Sequence, residues 1–328
     1  MNKKLLHSLA ILALAFPAAQ SQMSVAQSIP DRSPGRPYTT AVSQAANSTA
    51  ISTTTSTQGI SANPDAAAQK PAKQKTYKFR SIDYPGAYRS YASDFGDGMV
   101  VGRAYSTDTS GAFYCRGLSY YPVNVPGAYQ SQIEGINSSG RMVGYFADGT
   151  GDHGFVYDGK SVTTLDVPGA VSTAAYDIND AGVIVGQYDD SSNSYGFLYK
   201  NGNFTTITFP NGHYTVAYGI NSNGEIVGYY TDSIGAGHGF LLSNGMYSSF
   251  DVPGAYATFA YGINDAGAIA GGYDDLSVGH GFVFSDGVFR QVDVPGGAST
   301  ALFRIKNNGN VVGIVADSLG EYHGVIGK

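Results

Sequence analysis

The chain has 328 residues, of which 13% are charged and 42% are apolar, and its formal net charge is −6. These values exclude both a highly charged disordered protein and a bundle of membrane helices, so most of the chain is expected to fold. The negative charge and the lack of any basic stripe argue against nucleic acid as a partner.

The N-terminus has the layout of a secretory signal peptide. Lys3 and Lys4 precede an apolar run over residues 5–16, and small residues follow that run. A basic start, an apolar stretch and a small-residue cleavage region direct export, and the stretch is too short to span a bilayer. We therefore expect residues 1–26 to be a signal peptide, cleaved after Ala19, Ser21 or Ala26, and the protein to be periplasmic or extracellular.

Residues 27–75 are rich in Ser, Thr and Ala and contain one aromatic residue, Tyr38. A segment of this composition buries too little apolar surface to offset the entropy of ordering it. We interpret it as a disordered tether, with a glycosylated stalk as the alternative.

From residue 76 onward the chain repeats one unit six times. Each unit has an apolar strand that ends in a glycine, and these glycines recur every 42 or 43 residues: Gly102, Gly144, Gly186, Gly228, Gly271 and Gly313. A Pro-Gly or Pro-Asn-Gly turn repeats in phase with them. We number the units copy one to copy six; a period near 40 residues is typical of solenoids and propellers.

Within a copy, four short β-type segments alternate with turn signals. In copy five these segments are residues 258–263, 268–273, 280–284 and 288–294. Four strands per repeat predict one blade of a β-propeller. The repeat region begins with a lone fourth-type strand at residues 78–84 and ends with a third-type strand at residues 322–326. We therefore predict an all-β, six-bladed β-propeller of four-stranded antiparallel blades over residues 76–328, closed by the N-terminal strand, with a linear β-solenoid as the alternative.

The repeat resembles a known family. Ile263-Asn264 before the turn glycine Gly267, and the later strand His280-Gly281-Phe282, are similar to the Ile-Asn-x-x-Gly turn and His-Ala-Phe strand of bacterial extracellular HAF-repeat proteins. The resemblance covers residues 76–328 and implies a secreted, propeller-like protein, but no established activity.

Aspartate and histidine also recur in phase. An aspartate follows the marker glycine by four residues in five copies (Asp148, Asp190, Asp232, Asp275 and Asp317), and a histidine follows it in four (His153, His238, His280 and His323). Both residue types bind metals. However, a single site does not need a duplicate in every blade, so we interpret the pairs as loop-fixing hydrogen bonds and predict no metal and no cofactor.

Function is expected where one copy departs from the others. In the innermost strand the residue before the repeated isoleucine is Gly135, Asp177, Gly219, Gly262 or Arg304 in copies two to six, with Ser93 as the equivalent in copy one. Asp177 and Arg304 would then face each other across the axial channel, either as an ion pair or as anchors for a ligand. Glu134, which replaces a repeated tyrosine, would need a partner.

Three tyrosines follow a Pro-Gly-Ala turn: Tyr88, Tyr129 and Tyr256. Exposed aromatic rings on one rim can stack on sugars, but they can also cap blade edges. Together with Asp177, Arg304 and Glu134 they are the candidate ligand-binding residues. No nucleophile elbow, zinc-protease motif or phosphate loop is present. The sequence thus predicts a monomeric extracellular binding or scaffold module for a glycan or a protein, with a polysaccharide lyase or hydrolase as the alternative.

Overall fold

The computed structural model describes residues 75–106 and 110–328. The predicted signal peptide and all but the last residue of the predicted tether lie outside this part of the chain. The described residues form 24 β-strands, and among them no helix is long and apolar enough to cross a membrane.

The strands follow the predicted repeat. Copies one and two comprise β2 (Arg89–Gly96), β3 (Met99–Tyr105), β4 (Ser110–Arg116), β5 (Ser119–Pro122), β6 (Gln130–Ile136), β7 (Met142–Ala147), β8 (Asp152–Tyr157) and β9 (Val162–Thr164). Copies three and four comprise β10 (Ser172–Ile178), β11 (Ile184–Asp189), β12 (Ser194–Lys200), β13 (Asn203–Ile207), β14 (Tyr214–Ile220), β15 (Ile226–Thr231), β16 (Gly237–Ser243) and β17 (Met246–Phe250). Copies five and six comprise β18 (Ala257–Ile263), β19 (Ile269–Asp274), β20 (Gly279–Ser285), β21 (Val288–Gln291), β22 (Ser299–Ile305), β23 (Val311–Ala316) and β24 (Tyr322–Gly327), preceded in the chain by β1 (Phe79–Ile82).

These strands form four separate four-stranded sheets and one eight-stranded sheet. The eight-stranded sheet contains copies four and five, because β16 and β18 share one parallel pair, Gly237 with Ala257. The prediction of six separate four-stranded sheets is therefore wrong: four blades stand alone. The remaining two copies share one sheet because the first residues of β16 and β18 pair with each other. The repeat pattern of the sequence did not indicate this pair.

The two ends of the repeat region pair as predicted. β1 lies antiparallel to β24, with Phe79 opposite Gly327 and Ser81 opposite Val325, in the sheet of copy six. A hydrophobic cluster then joins this sheet to copy one through Ile82, Ala92 and Ile326. Five further clusters each lie between consecutive copies. The copies thus close on themselves, which excludes the linear solenoid.

The marker glycines are required by this packing. A Cβ at Gly186 would collide with the carbonyl oxygen of Ala174 and with the ring of Phe197. Glycine therefore lets the second strand approach the first closely while the third-strand phenylalanine fills the space between blades. The predicted turn glycine Gly267 has a φ of 78°, which favours glycine.

The Ile-Asn turns form a belt around one end of the molecule. Each asparagine amide donates to a backbone carbonyl in the next copy: Asn137 to Asn179, Asn179 to Asn221, Asn221 to Asn264, and Asn264 to Lys306. We call this end the turn face. The opposite end is the loop face, where the chain enters each first strand and where the second strand turns into the third.

Candidate functional site

Arg304 lies at the axis and forms hydrogen bonds with four copies, its own included. Its guanidinium donates hydrogen bonds to the backbone carbonyls of Tyr176 (2.6 Å), Glu134 (3.3 Å), Tyr261 (3.0 Å) and Phe303 (2.9 Å). The residue is 4% exposed. A β-bulge in each first strand turns this position toward the axis, as in β22 between Leu302 and Arg304.

Two buried carboxylates accompany this guanidinium. Arg304 Nε lies 3.6 Å from Asp177 and 4.0 Å from Asp94. The bulge of β2 falls between Ala92 and Asp94, so the copy-one equivalent of Arg304 is Asp94, and the assignment of Ser93 is wrong. Copy one has no Ile-Asn turn to mark the end of its first strand. Without that marker, its first strand was matched to those of the other copies one residue out of register.

Both carboxylates also accept backbone hydrogen bonds from the following copy. Asp94 accepts from the Ile136 amide at 3.0 Å, and Asp177 accepts from the Ile220 amide at 2.9 Å. Lys306 adds a 2.7 Å ion pair to Asp94. Burial raises the pKa of Asp177, although Arg304 opposes the shift. The two predicted residues Asp177 and Arg304 therefore meet, inside a network that ties neighbouring copies together.

Glu134 lies in the same central region and is 3% exposed. Burial raises its pKa to about 7, while the positive charges of Arg103 and Arg304 partly offset that shift. Arg103 is also buried and lies over the ring of Tyr91, at 4.2 Å from its centroid. Ser93 forms a hydrogen bond with the Glu134 side chain, and Arg103 and Arg304 supply the positive charge, so these three residues provide the partner that the sequence required.

The axis above this network is filled by aromatic and small side chains from all copies. They form one buried cluster that includes Tyr145, Tyr176, Tyr218, Tyr261 and Phe303. A ligand at the axis would have to displace these rings, so ligand binding by Asp177, Arg304 and Glu134 stays a prediction.

Each of the four repeated histidines lies between two aspartates of its own blade. His153 Nδ1 lies 2.9 Å from Asp166 and its Nε2 lies 3.4 Å from Asp148. The same arrangement holds His238, His280 and His323. The hydrogen bond to Asp166 raises the pKa of His153. Since both ring nitrogens face carboxylates, the pairs fix the loops, and no group of described residues has the arrangement of a metal site.

The three predicted tyrosines lie on the loop face and point into solvent. Tyr88, Tyr129 and Tyr256 are 51%, 70% and 55% exposed. Their backbone amides donate to the last carbonyls of the second strands, those of Tyr105, Ala147 and Asp274. The same bond occurs at this position in every copy, so the backbone beneath these rings is fixed.

Other exposed apolar residues share this face and were not predicted from the sequence. Val171 occupies the tyrosine position in copy three, while Ile234, Leu276 and Leu319 lie in the loops between second and third strands. A signal was available, because these are apolar residues within otherwise polar turns. The loop face thus carries seven exposed apolar or aromatic side chains among the described residues.

No protein-family model and no curated protein matches the sequence. AofleA from Arthrobotrys oligospora, in a triple arginine-to-alanine mutant, is 14% identical, with 82% of this chain and 90% of that chain covered and a TM-score of 0.50.

Two further structures are less similar. TolB from Acinetobacter baumannii is 10% identical with a TM-score of 0.48; 73% of this chain is covered, but only 55% of that chain. The lectin AAL from Aleuria aurantia, in complex with Fucα1-6GlcNAc, is 11% identical with a TM-score of 0.46, over 72% of this chain and 90% of that chain. At these identities only the architecture is comparable. The chain is an all-β protein with a β-propeller fold.

Proposed function

We propose that this chain is an extracellular binding module of the β-propeller type, and that it recognises glycans through its loop face. The observation that carries the proposal is the set of exposed side chains on the loop face, of which Tyr88, Tyr129, Val171 and Tyr256 share the position before a first strand. The axis beneath them is filled. Aromatic faces supported by a fixed backbone provide stacking surface at little entropic cost.

The proposal includes six blades. The eight-stranded sheet contains two complete copies joined by a single pair, Gly237 with Ala257, and each of these copies has the first-strand bulge found in the other four sheets. We therefore count it as two blades of a six-unit ring. The likeness to HAF-repeat proteins and the N-terminal pattern of Lys3, Lys4 and residues 5–16 support export. Mass spectrometry of protein from the culture medium tests export: the proposal requires a mature N-terminus after Ala19, Ser21 or Ala26.

Glycan recognition is tested with the purified full chain on a glycan array, followed by titration of the strongest binder. Tyr129→Ala should weaken binding roughly two- to tenfold, because it removes one stacking contact. Tyr121→Ala is the matched control, since Tyr121 is 44% exposed but lies on β5, away from the loops that enter the first strands. Equal loss in both variants, or no bound glycan, would overturn the proposal. Release of reducing ends from a bound polysaccharide would instead favour the enzymatic alternative.

A further inference from the structure

A cleft of about 240 Å³ opens on the loop face of copy one. It lies between the loops that lead into β2 and β6, which carry Tyr88 and Tyr129. Its walls include Tyr84, Ala104, Gly111 and Asn124. Sites for drug-sized ligands typically have roughly 300–1,000 Å³, so this cleft has room for one ring rather than for a chain of rings.

The cleft exists because copy one lacks a pair of stacked rings. In copies two to five, an aromatic residue on the second strand packs against an imidazole or phenol on the third: Phe146 on His153 (5.3 Å), Tyr188 on Tyr195 (5.3 Å), Tyr230 on His238 (5.1 Å) and Tyr273 on His280 (5.1 Å). The pair at the same register in copy one is Ala104 with Gly111. Two side chains that fill the other blades are therefore absent here.

One wall of this space is an aromatic ring. Tyr84 precedes the Pro-Gly turn into copy one, as Phe209 precedes the equivalent turn into copy four. Phe209 stacks on Tyr230 with 3.6 Å between ring centroids and an interplanar angle of 9°. A ring in the copy-one cleft would occupy the place of Tyr230 and lie beside Tyr84.

The polar groups that line the cleft are uncharged among the residues that the structure describes. Where four other blades hold histidine with two aspartates, copy one has Ser106 and Asn124. Gln130 and Ser131 also line the cleft. The hydroxyl of Ser110, which lines it too, is buried and forms no hydrogen bond to the described residues. A neutral ligand rich in hydrogen-bonding groups matches this lining.

We propose that the copy-one cleft binds one neutral pyranose ring, stacked beside Tyr84 and hydrogen-bonded to Ser110 and Asn124. This assignment rests on the proposed glycan recognition by the loop face and deepens it, because it places the terminal sugar between the Tyr88 and Tyr129 loops. The repeat supplies the reason: the space that an aromatic pair occupies in four blades is left open in one.

Filling the cleft tests the assignment. Gly111→His restores the imidazole found in four other copies, and an added Cβ at Gly111 meets no atom within 4 Å. Gly149→His is the matched control, because it adds the same side chain to an exposed loop of copy two where a Cβ also meets nothing within 4 Å. The probes are the methyl α- and β-glycosides of glucose, galactose, mannose, fucose and N-acetylglucosamine, titrated into the full chain and followed by NMR of the backbone amides.

The expected result is saturable binding of at least one glycoside that shifts the amides of Ser110 and Gly111. Gly111→His should weaken it at least roughly tenfold, and Gly149→His should leave it unchanged. Absence of binding by every glycoside, or equal binding by Gly111→His, overturns the cleft assignment. The proposed function would still stand if array binding persisted in Gly111→His and depended on Tyr129, so the two failures are distinguishable.

Discussion

At the axis, the residues that differ between copies point inward and bind one another. On the loop face, the residues that differ between copies leave exposed rings and open space. Arg304, Asp94 and Asp177 replace glycines, and their charged groups form hydrogen bonds with the backbone of other copies. Ala104 and Gly111 replace large rings and leave a cleft. Departure from a repeat therefore indicates function only when the departing residues remain accessible to a ligand.

The largest expected effect is at the axis. Arg304→Ala should lower the free energy of unfolding by roughly 3–5 kcal/mol, because it removes the guanidinium that pairs with the buried carboxylate of Asp177. Arg89→Ala is the control: Arg89 pairs with Glu321 at 3.1 Å, but its side chain is 32% exposed, so the loss should stay below about 1 kcal/mol. Urea denaturation measures both. If both variants lost less than about 1 kcal/mol of unfolding free energy, the structural role of the axial residues would be contradicted. The axis would then again be a candidate ligand site.

The second effect is a pH dependence that arises from Glu134. Its pKa is raised from 4.5 to about 7 in the folded protein, so the folded state binds this proton more tightly than the unfolded chain does. Stability should therefore fall as the pH rises through this interval, by up to about 3 kcal/mol. Glu134→Gln should remove that decline and be more stable than the wild type at pH 8. The histidines with raised pKa, such as His153, lose their stabilising contribution as the pH rises above about 6.5.

Denaturation at a series of pH values distinguishes these contributions. The slope due to His153 persists in Glu134→Gln, while the slope between pH 5 and 7 flattens. An unchanged slope would mean that Glu134 is solvated, contrary to its burial.

The smallest expected effect on stability is on the loop face. Tyr129→Ala should change the free energy of unfolding by no more than about 0.5 kcal/mol, because the ring is 70% exposed. The same variant weakens glycan binding, so stability and binding separate here, as they would not at the axis. A large destabilisation would instead identify Tyr129 as a cap of the blade edge.

Much of the architecture was predictable because the repeat imposes it. Two markers in phase gave the period, and the split of one copy across the termini predicted the pairing of β1 with β24. The single parallel pair of Gly237 and Ala257 was not predictable, since it depends on how two loop ends approach each other and not on any pattern.

The site was predictable only in part. Asp177 and Arg304 were expected to meet and do so, but Asp94 was missed because copy one lacks the turn that sets the register. The irregularity of copy one was visible in the sequence, but the period of a repeat does not show how much space its side chains leave empty. The cleft required coordinates to relate Ala104, Gly111 and Tyr84 to the ring pairs of the other copies.

The most direct test of the account is a crystal structure of the full chain with the strongest array binder. We expect a sugar ring between Tyr84 and Gly111, with the rest of the glycan over Tyr129 and the contacts of Arg304 unchanged. A ligand bound at the axis with Arg304 displaced, or bound on the turn face, would contradict it.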